Sequence, residues 1–448
     1  MKKIKLSDHF TFRRILLAVL PSVTMMVFSS IYTIVDGLFI AEFVGEDAFA
    51  GINLAWPFIA ILWAVGFMMG SGGSALVGKT LGEGDSKKAN EIFSLIIYAT
   101  IALSIVVSLI GFFSMEPLIR WMASLSNGNT EGMVQNALTY GHILVIFLPF
   151  AMLQNVFQSF FVTAEKPITG FLFIFIGGVT NIITDAIFIA GFHWGIEGAA
   201  CGTILGQIVA GVGPVFYFLF KKDMRLRLGK PRFDLMALIK TCTNGVSEFV
   251  SNIAGSIVGM CYNAQLLAFI GPKGVSAYGI IMYIAYVFLA MFIGYSIGIS
   301  PIISYHYGAG NKKELHGLLT KSLIIIAVTS LVMFGLSEGV GPLFAKAFCE
   351  GDGELLQITN DSIRIYSFVF LLAGFSIFGS AFFTALNNGL VSAVISLVRT
   401  LVFEIIFVWT FPLVWGVMGI WVSAPAAEVA AAVLTSCCFF IGWKKYGY

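Results

Sequence analysis

The sequence predicts an all-α membrane protein of twelve transmembrane helices, arranged as two similar six-helix halves. Three observations predict it. The 448 residues are 58% hydrophobic and only 11% charged, with a mean hydropathy of +0.92, too apolar for a water-soluble fold of this size. Twelve runs are each long enough to cross a bilayer, which takes ~20 largely apolar residues. The chain also repeats itself. Phe43-Val44-Gly45 returns as Phe269-Ile270-Gly271, and Gly82-Glu83-Gly84 as Gly308-Ala309-Gly310, followed by Lys87 and Lys313, at a constant offset of 226. At offset 221, Thr163-Ala164 answers Thr384-Ala385, and Gly195, Gly198 and Gln207 answer Gly416, Gly419 and Glu428. In so apolar a chain, a tandem duplication is the mark of transport scaffolds, whose halves move about a central site.

The first run, 15–41, follows the basic residues Lys2, Lys3, Lys5, Arg13 and Arg14. A cleaved signal peptide fits it poorly, because the run is long, carries Asp36 and lacks a clear small-residue cleavage site. Runs 48–78, 92–114, 136–163, 168–192 and 197–220 complete the first half, residues 1–220. Residues 221–237 form a basic linker with Lys221, Lys222, Arg225, Arg227, Lys230 and Arg232. Runs 238–269, 275–306, 317–337, 359–386, 391–414 and 417–442 make the second half, 238–448. Continuous runs of this length indicate helices and not the short alternating strands of a barrel. With the N-terminus inside, 21 of the 26 Lys and Arg residues fall in cytoplasmic segments, and the outside loops keep only Arg120, Lys273 and Lys346. Both termini are therefore expected in the cytoplasm. The linker's basic cluster is read as that same bias, with contact to anionic membrane lipids as the other reading.

Several function classes fall away. A net charge of +2 argues for no nucleic-acid partner. Five of the six cysteines lie in or near spans, so no disulfide framework or CxxC metal site is implied. His9, His142, His193, His306 and His316 have no ligand spacing. Gly70-Ser71-Gly72-Gly73 lacks the Gly-Lys-Ser/Thr of a phosphate loop. No cofactor is expected, and energy should come from an ion gradient.

Five acids lie within the predicted spans: Asp36, Asp185, Glu248, Glu404 and Glu428. Each costs about 2.5–3.5 kcal/mol at a helix centre on insertion scales, so each needs a partner or a task. Asp36 faces Tyr262 at offset 226 and Asp185 faces Ile406 at offset 221, so neither belongs to the shared frame. Gly177, Asn181 and Asp185 stand at i, i+4 and i+8 on one helix face, where glycine allows a neighbouring helix to approach. Two carboxylates close together in low dielectric cannot both stay charged, and such a face suits a proton or a sodium ion. The other, less favoured reading of Asn181 is interhelical hydrogen-bond glue. In the second half Arg399 is expected to pair across helices with Glu248, Glu404 or Glu428; an unpaired buried guanidinium is excluded on cost. Between Phe150 and Phe161, the polar residues Gln154, Asn155 and Gln158 alternate with Phe150 and Phe157 and their neighbours, a mixture suited to a cavity for large apolar cations.

Val35-Asp36-Gly37-Leu38-Phe39-Ile40, then Gly45, resembles the first helix of the multidrug and toxic compound extrusion (MATE) family. Asn181-x-x-x-Asp185 in the fifth span, Gly198-Ala199-Ala200-Cys201-Gly202-Thr203 in the sixth, and the loops Gly82-x-Gly84-Asp85 and Gly308-x-Gly310-Asn311 extend the likeness over nearly the whole chain. The resemblance implies a V-shaped pair of pseudo-symmetric lobes in a bacterial inner membrane. It implies export of cationic lipophilic compounds in exchange for protons or sodium, with Asp36, Asn181, Asp185 and Thr203 as the ion site of the first lobe. A monomer in contact with membrane lipids is expected. The second half departs from members with an acid deep in helix seven. Here Glu248, in Gly245-Val246-Ser247-Glu248, stands near the helix start, as in a bacterial drug-export subgroup.

Two other readings are weighed. A lipid-linked oligosaccharide flippase on a related scaffold should prefer a basic cavity, whereas the embedded charge here is mostly acidic. An intramembrane aspartyl protease would use Asp36 and Asp185, and Gly82-Glu83-Gly84-Asp85 spells its GxGD pattern. That pattern falls in a charged loop, and its duplicate has Asn311 in place of Asp85. The drug, the coupling ion and the partner of Arg399 are left open by the sequence.

Overall fold

The computed structural model describes residues 4–124, 131–221, 224–349 and 352–448; Lys2, Lys3 and Lys222 lie outside them. Twelve helical rods are present among the described residues. The first lobe comprises α1 (Phe12–Phe43), α2 (Glu46–Gly82), α3 (Ser86–Ser124), α4 (Glu131–Ile146 with Leu148–Thr163), α5 (Pro167–Asp185 with Ala186–Gly191) and α6 (Gly195–Phe220). The second comprises α7 (Leu235–Phe269), α8 (Pro272–Gly308), α9 (Lys312–Phe348), α10 (Gly353–Tyr366 with Val369–Ala385), α11 (Gly389–Trp415) and α12 (Val417–Tyr446).

Nine of these are, by length and composition, long and apolar enough to cross a membrane, and the bent pairs α4 and α10 raise the number to eleven among the described residues. The twelfth, α7, has the length but not the apolarity. Its Thr241, Asn244 and Ser247 are buried, with Asn244 Nδ2 donating to Asn387 Oδ1 at 2.8 Å and Ser247 meeting Thr384 Oγ1 at 3.5 Å. Polar side chains are tolerated in a span when protein, not lipid, satisfies them.

Two runs expected to be single rods are bent, by 62° in α4 and 48° in α10. In α4, Pro149 stands in the first turn after the break, where its missing N–H costs nothing. In α10, Ser367 donates its hydroxyl to the Ile363 carbonyl at 2.7 Å and meets Ser337 Oγ at 2.6 Å, a side-chain bond that competes with the helix ladder. Both α5 and α11 contain a π-helical stretch, Ala186–Gly191 and Val398–Phe403.

The repeat is visible in the loops. Gly84 and Gly310 adopt φ of +87° and +66°, which favours glycine. The residues after them cap the next helices: Asp85 Oδ1 accepts from the Lys88 amide at 2.9 Å and Asn311 Oδ1 from the Glu314 amide at 3.1 Å. The GxGD pattern is thus a helix start. The turns after α4 and α10 also match, with left-handed Glu165 and Asn387 and the same backbone bonds. This pairs the turns at offset 222, one residue beyond the offset that aligning the Thr-Ala pairs gives.

Glycine also joins the lobes. A methyl group on Gly82 would fall 2.0 Å from the Tyr305 carbonyl oxygen, and one on Gly308 would fall 2.0 Å from that of Lys79. Tyr305 is the duplicate of Lys79, so this is one contact seen from both sides of a pseudo-twofold axis. The α2–α7 and α8–α1 crossings are related in the same way: Gly72 lies against Thr241 and Gly245, and Gly298 against Val19. These approaches use the first halves of α1 and α7 and the last halves of α2 and α8. The lobes therefore pack at the end of the bundle that carries the N-terminal segment. Toward the other end, a methyl group on Gly255, Gly259 or Gly279 would meet nothing within 4 Å.

Candidate ion and drug site

α5 and α6 touch through glycine. A methyl group on Gly177 would come 2.8 Å from the Gly206 carbonyl oxygen, and one on Gly206 2.7 Å from that of Gly177. One turn on, a methyl group on Gly202 would overlap Asp185 Oδ1, at 2.0 Å. The carboxylate of Asp185 can lie against α6 only because Gly202 has no side chain. Asn181, one turn before Asp185 on the same face, donates Nδ2 to Asp185 Oδ2 at 3.0 Å.

Asp36 of α1 faces Asn181 and Asp185 across the contact between the helices. Thr203 of α6 and Tyr140 of α4 complete the cluster, the two hydroxyls beside each other. Asp185 is 0% and Asn181 3% exposed. Buried polar atoms almost always have a partner, yet four here have none among protein atoms: Asp36 Oδ1, Asn181 Oδ1, Asp185 Oδ1 and Thr203 Oγ1. All are hard oxygen donors that converge on one place and carry two potential negative charges. Such a set suits a proton shared between carboxylates or a small hard cation. Among the described residues no group of three His, Cys, Asp or Glu side chains could hold a metal ion, so any cation would depend on the amide and hydroxyl oxygens.

Asp36, Asn181, Thr203 and Tyr140 of this cluster line a cavity together with Tyr32, Trp56, Trp63, Gln154 and Asn155, whereas Asp185, bonded to Asn181, does not line it. Trp56 and Trp63 meet edge to face at 5.3 Å. Of the candidate cavity residues on α4, Gln154 and Asn155 line it, while Phe150, Phe157 and Gln158 do not. Phe157 is stacked on Phe218 at 5.5 Å and Phe150 on Phe147 at 5.9 Å. The helix turns Ala151, Gln154 and Asn155 to one side and sends the two phenylalanines elsewhere. Tyr140 was not singled out from the sequence. The repeat offered a signal, since Tyr140 and Tyr366 stand at offset 226.

In the second lobe Arg399 takes Glu428, with Nε at 2.9 and 3.0 Å from its two oxygens and a terminal nitrogen at 2.6 Å. This is a bidentate fork, the strong form of such a pair. Glu404 accepts a hydrogen bond from Tyr262 at 2.8 Å, and Tyr262 is stacked on Tyr278 at 5.1 Å. Tyr262 occupies the position that Asp36 has in the first half. Among the described residues the Glu248 side chain makes no hydrogen bond or ion pair with this group; it stands apart from the network.

The family model MatE matches residues 21–187 and 249–410, well over half of the chain. The Multidrug export protein MepA of Staphylococcus saprophyticus is 27% identical over 366 residues, 79% of each chain. MepA of Staphylococcus aureus strain MRSA252 is 26% identical over 365 residues, again 79% of each. Among solved structures, a MATE in complex with MaL6 superposes with a TM-score of 0.91 at 19% identity, covering 100% of this chain and 99% of that one. The outward-facing conformation of a multidrug resistance MATE family transporter of the MOP superfamily gives 0.90 at 19% identity, covering 100% and 98%.

Proposed function

This chain belongs to the MatE family, so it is a membrane transporter and not an enzyme, and we propose that it is a bacterial multidrug efflux antiporter. It exports cationic lipophilic compounds in exchange for protons or sodium. The observation that carries this reading is the cluster of unpartnered oxygens on Asp36, Asn181, Asp185 and Thr203, of which Asp36, Asn181 and Thr203 line an aromatic cavity. Anionic oxygens attract a cation, and the tryptophan and tyrosine rings around them supply apolar and cation–π contact to an organic one. The relatives named as multidrug export proteins support export of small molecules.

Antiport follows if drug and ion compete for the two carboxylates. A proton or sodium ion arriving from outside binds the Asp36–Asp185 pair and cancels one negative charge, the one that held the cationic drug, which then leaves outward. After reorientation the ion departs inward, and the carboxylates again favour a cation. Coupling requires the ion to bind the two conformations unequally. The domain reading is a first lobe over 1–220, a cytoplasmic linker over 221–237 and a second lobe over 238–448. With both termini in the cytoplasm, the packed end is the inner one, so this conformation is open outward. Purified protein in liposomes with imposed proton and sodium gradients tests the reading. Dye efflux should follow one gradient and disappear in Asp36→Asn and Asp185→Asn; wild-type rates in either variant would exclude this site. The flippase alternative predicts movement of a labelled lipid in the same vesicles instead of dye.

A further inference from the structure

The segment before α1, residues 4–11, crosses the packed end of the bundle and is held in both lobes. Its apolar side chains Leu6 and Phe10 are buried. The Leu6 amide donates to Glu165 Oε1 at 2.9 Å. Glu165 sits at the left-handed turn after α4 in the first lobe and also pairs with Arg225 of the linker. Four residues later the Phe10 amide donates to Glu314 Oε1 at 2.8 Å, while His9 Nδ1 meets Glu314 Oε2 at 2.7 Å. Glu314 is in the first turn of α9, in the second lobe. Lys321, two turns further along α9, donates Nζ to the Phe10 carbonyl at 2.5 Å. His306, near the end of α8, meets the Phe10 ring edge-on at 6.1 Å.

These contacts differ in kind from the glycine contacts beside them. Helices packed on glycine separate without breaking a specific polar bond. The strap's contacts are charge-assisted hydrogen bonds, roughly twice as strong as neutral ones, and at Phe10 they cross to the opposite lobe, where Glu314 accepts and Lys321 donates. Residues 4–11 are continuous with α1, so the bonds to Glu314 and Lys321 cannot survive a parting of α1 from α8 and α9. Alternating access requires that parting at this end.

We propose that residues 4–11 are a latch across the inner end of the transporter, with Glu165 as its anchor in the first lobe and Glu314 as the catch in the second that releases on each cycle. The charged groups around the catch are Asp8, His9 and Arg14 on the strap side, with His306 and Lys321 on the other.

The latch rests on the alternating motion proposed above, and two opposite manipulations of the full-length protein in liposomes test it. In a background without the six native cysteines, His9→Cys with Glu314→Cys locks the catch by oxidation. Dye efflux should fall about tenfold or more and return with reductant, because the open state is removed from the cycle. Full efflux with the disulfide confirmed by mass spectrometry overturns the proposal. Conversely, Glu314→Ala should unlatch it. A cysteine at Ser304, 0% exposed and facing Gly78 across the lobes, should then react with N-ethylmaleimide about tenfold faster, as expected when one state loses a charged hydrogen bond. An unchanged rate in folded protein overturns it too. The alkylation arm reads opening without transport, so a chain that moves no dye would count against the transport reading and leave this test intact.

Discussion

The two lobes share a frame and differ in how they treat buried charge. In the first, two carboxylates, an amide and a hydroxyl meet with four oxygen atoms unpartnered. In the second, at the related place, a guanidinium grips Glu428 with three contacts and a tyrosine serves Glu404; none of these side chains leaves a buried atom unpartnered among the described residues. Substitution at equivalent positions makes the difference: Tyr262 for Asp36, Glu428 for Gln207 and Ser423 for Gly202. A polar group satisfied by protein resists change, while one left unsatisfied is available to a ligand. The contrast supports the proposal of ion exchange at the first cluster and structural cohesion at the second.

The largest effect should break the second lobe's stability. Arg399→Met leaves Glu428, 4% exposed at its side chain, as a buried charge without its partner, which should cost about 3–5 kcal/mol. The unfolding midpoint in detergent should fall sharply, and adding Glu428→Gln should restore most of it. If Arg399→Met instead kept its midpoint and lost only coupling, the division of labour would be reversed.

Next in size, Asp36→Asn or Asp185→Asn should lower gradient-driven efflux by about a hundredfold, since the ion's preference between states disappears. Stability should hold or rise in these variants, because a buried carboxylate is replaced by a neutral amide. Differential scanning of the same preparations separates that outcome from misfolding.

Gly202→Ala sharpens the comparison at one backbone position. Its methyl group would meet Asp185 Oδ1 at 2.0 Å, pushing the carboxylate off α6 and weakening ion-dependent efflux about tenfold through overpacking. The equivalent Ser423→Ala should change efflux little, as the Ser423 hydroxyl only donates to the Gly419 carbonyl of its own helix. Equal losses at the two sites would show that packing, and not the ion site, is what Gly202 protects.

The smallest effect is expected from Tyr262→Phe, which removes one hydrogen bond to Glu404, worth about 0.5–1.5 kcal/mol. The unfolding midpoint should drop modestly while the proton or sodium dependence of efflux stays as in the wild type. A shifted ion dependence would bring Glu404 into the coupling chemistry.

Much of this was legible from spacing. The twelve runs, the duplication, the loop glycines and the Gly177-Asn181-Asp185 face all depend on helix geometry within one segment, where an i, i+4 relation has one spatial meaning. So does the bond from Asn181 to Asp185. The choice of Glu428 by Arg399, Tyr140 beside Thr203, the turning of Phe157 into the core and the strap's catch at Glu314 all join segments far apart in the chain. Hydropathy also understated α7, whose polar residues are shielded by neighbours that no window along the chain can see. Local periodicity is set by covalent geometry and the backbone hydrogen-bond ladder, whereas which faces of different helices meet depends on the packing of the whole bundle. Only that packing separated the cluster around Asp36 and Asp185, whose oxygens are left unpartnered, from the cluster around Arg399 and Glu428, in which they are satisfied.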